Sequence, residues 1–112
     1  MSYDVRLCID TGGEYPASVT DTSSPTYNLS GMFREALGVS MQKHGDEPAL
    51  DGMLAADAIP VISAALARMA AEPATFRKFN PPNGWGDYEG AVSFLRWLLD
   101  ECVRHPKATV RT

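Results

Sequence analysis

Tyr3, Val5, Leu7 and Ile9 alternate with Asp4, Arg6, Cys8 and Asp10, the period-two pattern of a strand with one face in a core. Thr11-Gly12-Gly13 ends the run, because paired glycines favour backbone angles that a strand does not use. Residues 14–26 are rich in Ser, Thr and Pro and read as ordered loop, with a short edge strand around residues 17–20. Leu29, Met32, Phe33, Ala36 and Leu37 then recur at helical spacing and make one apolar stripe. Asn28 stands where a helix N-cap belongs, and Gly38 where a helix stops. Residues 39–50 carry Lys43, His44, Gly45, Asp46, Glu47 and Pro48, a polar loop expected to be the most mobile part of the chain.

The alanine-rich stretch that follows contains Pro60, which lacks an amide hydrogen and breaks a helix interior. With Asp57 as the cap, Pro60 falls in the first turn, where it costs little. Any turn within residues 53–56 is then separate or kinked. Ile59, Ile62, Leu66 and Met69 share one face of this helix, and Glu72-Pro73 closes it. Residues 74–79 read as a short helix with Phe76 and Phe79 pointing inward. The longest helix covers residues 87–105, with Asp87 and Glu89 at the positive end of its dipole and Arg104 and His105 at the negative end. Val92, Leu95, Leu99, Cys102 and Val103 form its buried stripe, widened by Phe94, Trp97 and Leu98. Pro106 ends it, and residues 107–111 read as a final strand. The pattern predicts a single α+β domain over residues 1–112, with a small antiparallel sheet formed by the N- and C-terminal strands and packed against three or four helices.

A chain of 112 residues with 45% hydrophobic content builds a core that needs no disulfide or metal. A second copy would add useful buried surface, so a homo-oligomer is compatible with this core without being required by it. The net charge of −4 argues against a general nucleic-acid binder, which needs a basic stripe to displace counterions. That charge is uneven. Residues 1–57 hold nine acids and three bases, whereas residues 58–112 hold five acids and seven bases. Two differently solvated faces account for this; an acidic half that docks on a basic partner is the sharper reading. The opening residues show no basic or apolar leader pattern, and the longest low-charge segment, residues 53–67, is too short to span a bilayer. A cytoplasmic protein without membrane partners is expected.

Catalytic patterns are thin. Asp10-Thr11-Gly12 after an apolar strand is the tripeptide of aspartic proteases, whose chemistry needs two carboxylates sharing a proton on β-loops. The helical pattern after Asn28 does not fit such an enzyme, and a turn after an edge strand explains the tripeptide. Cys102 and His105 have a spacing that can ligate zinc, with Cys8 and His44 as further ligands. Cys102, however, falls on the apolar stripe, where a free cysteine behaves as a small hydrophobe. No nucleophile elbow, phosphate-binding loop, dinucleotide fingerprint or zinc-protease motif occurs in the sequence. No catalytic residue, metal ligand or cofactor is therefore assigned. A hydrolase using Asp10, Asp87 and Tyr88 ranks last among the readings.

The most distinctive string is Asn80-Pro81-Pro82-Asn83-Gly84-Trp85-Gly86-Asp87-Tyr88-Glu89-Gly90. Its prolines lower the entropy cost of one shape, and Gly84 and Gly86 let the backbone approach another molecule around Trp85. Asn83, Asp87 and Tyr88 add hydrogen-bonding groups, and the helix N-terminus that follows can receive an anion. Asn83, Trp85, Asp87 and Tyr88 are thus the candidate binding residues, with a protein partner as the first expectation. A nucleotide-like small molecule stacked on Trp85 or Tyr88 is the alternative. The competing structural reading folds Trp85 onto Phe76 and Phe79 and makes Asp87 an N-cap only. Together with Tyr27-Asn28-Leu29-Ser30-Gly31-Met32 and His105-Pro106-Lys107-Ala108-Thr109-Val110, the string resembles a family of small proteins encoded by actinobacteria and their bacteriophages. The resemblance implies a bacterial or phage cytosolic setting and brings neither an activity nor catalytic residues; the uneven charge, the small size and the absence of catalytic constellations point to an accessory or host-interaction factor.

Overall fold

The computed structural model describes residues 3–9, 17–82, 84 and 86–112, with the backbone only at Tyr27. Asp10, Thr11, Gly12, Asn83 and Trp85 lie outside the described residues. Strand β1 (Arg6–Ile9) is flanked by β2 (Ala17–Ser18) and β3 (Thr109–Arg111), in the order β2-β1-β3. Both pairings are antiparallel, with Cys8 opposite Ser18 on one side and Thr109 on the other. The first and last strands are therefore neighbours, as the pattern predicts. Helices α1 (Ser30–Leu37), α2 (Ala55–Ala71), α3 (Pro73–Arg77) and α4 (Tyr88–Arg104) complete an α+β fold.

Tyr3, Val5, Leu7 and Val110 are buried and join the apolar faces of the helices in one cluster. Cys8 is buried as well, although it stands on the face expected to be polar, and Ile9 at the strand end is 38% exposed. Both departures follow from how short the sheet is: its end leaves Ile9 uncovered, while β2 and β3 flank Cys8. Beyond β2 the chain stays beside β1, with Ser23 and Val5 exchanging backbone bonds of 2.8 and 2.9 Å. The residues between them bulge outward, and Thr20 Oγ1 accepts the Leu7 amide at 3.1 Å.

The α1 stripe is as predicted, with Leu29, Met32, Phe33, Ala36 and Leu37 all buried. Its start is not. Asn28 sits inside a 3₁₀ turn (Tyr27–Leu29), its side chain donates to Thr26 Oγ1 at 3.1 Å, and no side chain caps α1. At the other end Gly38 adopts φ 76°, the left-handed stop that Gly takes most easily. The polar loop beyond it is pinned at both ends. Leu50 N–H donates to the Ser40 carbonyl at 2.8 Å and Asp51 N–H to that of Met41 at 3.0 Å, with Met41 and Leu50 buried.

Helix α2 starts earlier than Asp57. Its first-turn amides of Ala55 and Ala56 donate to the carbonyls of Ala108 and Pro106 at 2.7 and 3.0 Å, so the turn before β3 caps the helix and no side chain does. Pro60 consequently lies inside the helix, where its ring removes the bond to the carbonyl of Ala56, an exposed residue. The buried face is Ala55, Ala58, Ile62, Ala65 and Met69, with Ile59 and Leu66 only packed at its margin. The small alanines let α2 pack closely on α4, the most extensive contact between elements. The α4 stripe is rotated to match: Tyr88, Ala91, Phe94, Leu95, Leu98 and Cys102 face inward, while Val103 is 59% exposed. On α3, Phe76 is buried, but Phe79 lies past the end of the helix and is exposed.

Candidate functional site

Pro73 opens α3 and has no amide hydrogen to give the Met69 carbonyl four residues back. The Tyr88 hydroxyl supplies that bond instead, donating to Met69 O at 2.7 Å. The Tyr88 ring is buried, and the Arg77 guanidinium carbon lies 4.8 Å from its centroid. Arg77 also pairs with Glu89 at 2.9 Å, and this hydrogen bond is the leading cause that holds the Glu89 carboxyl below its ordinary value. Asn80 Oδ1 accepts the Tyr88 amide at 2.8 Å, while Asp87 Oδ1 accepts the Gly90 amide at 2.7 Å. Asp87 is therefore a true N-cap. Of the candidate residues, Asp87 and Tyr88 serve the fold with the groups expected to bind, and Asn83 and Trp85 lie outside the described residues.

The open surface beside this junction is a groove of about 420 Å³ between the segment Ser23 to Thr26 and the first turns of α4. Leu29, Phe94 and Trp97 give it an apolar wall, and Ser23, Thr26 and Ser93 add hydroxyls. Gly86 and Gly90 line it as well. Gly86 is needed there. It has φ 95°, and a Cβ on it would lie 2.7 Å from Thr26 Cγ2 and 3.0 Å from Leu29 Cγ. Behind the wall the aromatics are braced in series. Tyr3 meets Phe33 and Phe33 meets Phe94 edge-on, and Phe94 is 6.0 Å from Trp97. Trp97 is thus the half-buried outer end of a row that begins in the core beside the sheet.

Among the described residues no Arg or Lys lines the groove, so these walls offer the phosphate of a nucleotide no cation. Two carboxylates stand at its edge, each bonded to a wall residue: Asp4 accepts from Ser24 Oγ at 3.1 Å, and Asp87 from Gly90. The sequence reading centred on residues 80–89 missed Ser23, Thr26, Ser93 and Trp97. One signal was present. Gly90, Ser93 and Trp97 share one side of α4, and two small residues below a tryptophan on a helix leave a hollow.

The cysteines and histidines assemble no centre. Cys8 and Cys102 are buried free thiols, His105 Nε2 lies 3.8 Å from Glu101, and no metal-holding group of His, Cys, Asp and Glu occurs among the described residues. Among those residues no helix is long and apolar enough to cross a membrane. No protein-family model matches the chain, and neither a curated protein nor a solved structure matches it.

Proposed function

We propose that this chain is a non-catalytic binding protein whose partner is another protein, seated in the groove between Ser23 and Trp97. The observation that carries the reading is the groove wall itself: apolar and hydroxyl-bearing, without a charged side chain among the described residues, and edged by Asp4 and Asp87. Such a surface suits an apolar side chain of the partner flanked by Lys or Arg, in keeping with the acidic balance of residues 1–57. An apolar anchor in a preformed pocket supplies affinity, and the rim charges supply orientation and encounter rate. The resemblance to actinobacterial and phage proteins gives the partner a cellular setting: an accessory or host-interaction factor in a bacterial cytoplasm.

The test is a titration of the isotope-labelled protein with short peptides that carry one Leu or Phe between basic residues, and with the same peptides bearing acidic flanks. Basic-flanked peptides are expected to shift the amides of Gly90, Ser93 and Phe94 and the indole of Trp97, and Ser93→Arg is expected to abolish the shifts. Absence of binding by both sets, or equal binding by Ser93→Arg, overturns the reading.

A further inference from the structure

A second cleft, of about 330 Å³, opens on the other side of α1 and is lined by Ser30, Gly31, Arg34, Ser40 and His44 among others. Its walls come from two elements that the fold fixes against each other. Ser30 and Arg34 are one turn apart on α1, and helical side chains lean toward the N-terminus, so Arg34 reaches back over the turn that Ser30 begins. Ser40 and His44 belong to the loop pinned by the Leu50–Ser40 and Asp51–Met41 backbone bonds.

Arg34 differs from the arginines that the fold employs. Arg77 and Arg104 are held by carboxylates, and Arg68 donates to the Ala36 carbonyl. Among the described residues no carboxylate lies within ion-pair distance of Arg34. Among the described residues no acidic side chain lines the cleft, whereas the neighbouring hollow beyond Arg34, of about 270 Å³, is lined by Glu47.

We propose that this cleft binds the phosphate group of a small phosphomonoester. Two facing walls carry the donors, a guanidinium and a serine hydroxyl on α1 and a serine hydroxyl and an imidazole on the loop, and donors divided in this way suit a tetrahedral oxyanion better than a planar carboxylate. The cleft is large enough for a small organic group beyond the phosphate. Glu47, on the far side of Arg34, repels any extension of the anion in that direction, so the site selects a single phosphate over a chain of them. This proposal is independent of the groove at the head of α4.

The experiment is a titration of the whole chain, followed by amide shifts, with inorganic phosphate, glycerol 3-phosphate and pyrophosphate, each against sodium chloride at matched ionic strength. Shifts at Ser30, Gly31, Ser40 and His44 are expected with the first two probes, with glycerol 3-phosphate the tighter if an organic phosphate is the ligand. Tighter binding of inorganic phosphate overturns the ester in favour of the free ion. Arg34→Met should weaken binding at least about tenfold and Arg34→Lys less, since an ammonium keeps the charge without the planar fork. Ser40→Ala, a milder change in the opposite wall, should weaken it about threefold through one lost hydrogen bond. No shift beyond that caused by chloride, unchanged affinity in Arg34→Met, or pyrophosphate binding tighter than phosphate overturns the site.

Discussion

The Tyr88 hydroxyl donates to the Met69 carbonyl at 2.7 Å and takes the place of the amide hydrogen that Pro73 lacks. One side chain from the first turn of α4 thereby repairs the end of α2. Tyr88→Phe keeps the ring and the Arg77 stacking but leaves a buried carbonyl without a donor. The expected loss is about 1–2 kcal/mol of folding free energy, read as a lower urea midpoint at unchanged slope. Equal stability of Tyr88→Phe and the wild type would show that water reaches Met69.

Gly84 and Gly86 both have positive φ, 75° and 95°, yet their surroundings differ. A Cβ at Gly84 meets nothing within 4 Å, whereas one at Gly86 enters Thr26 and Leu29. Gly84→Ala should therefore cost about 1 kcal/mol, the backbone penalty alone. Gly86→Ala should cost roughly 1–3 kcal/mol more through overpacking. It should also displace Thr26 from the groove wall, visible as shifted resonances at Ser23, Thr26 and Trp97. Thermal unfolding of the two variants side by side checks the ranking.

Burial pushes the Cys102 thiol up from its ordinary 9.0 to about 11, with the charge of Glu101 a smaller cause. The folded state thus holds this proton at a pH where the unfolded chain releases it, so stability is intact below the unfolded value and falls as pH rises from 9.0 toward 11. Urea midpoints measured from about pH 8 to about pH 10.5 should decline for the wild type more steeply than for Cys102→Ala, which has no thiol to ionise. Identical slopes would place the thiol in contact with water.

Much of the fold is written locally. The five-residue stripe from Leu29 to Leu37, the Gly38 stop and the Asp87 cap act over one or two turns, and the structure reproduces each of them; the alternation holds at Tyr3, Val5 and Leu7 and departs only at Cys8 and Ile9. The misreadings have a common physical origin: a partner distant in sequence. Alanine registers weakly as hydrophobic, so the α2 face through Ala55, Ala58 and Ala65 was hidden behind Ile59 and Leu66 until α4 packed on it. Asp57 yielded the cap because carbonyls about fifty residues later, at Pro106 and Ala108, reach the first-turn amides of α2. Tyr88 looked free to bind because nothing near it in sequence shows that Pro73 leaves a carbonyl open. Only the α4 half of the groove, Gly90, Ser93 and Trp97, was legible, for the same reason. Serines and threonines at residues 23–26 carry no periodic signal, and only the fold brings them opposite Ser93 and Trp97.

The pairing of β1 with β3 also governs when this protein acquires its shape. The first strand is made about a hundred residues before its partner, Thr109–Arg111, and α2 about fifty residues before the carbonyls that start it. A nascent chain still short of Ala108 has neither a closed sheet nor an anchored second helix. Contacts between residues this far apart along the chain slow folding. The sheet and the second helix are thus completed together, by the same short stretch of chain around Ala108.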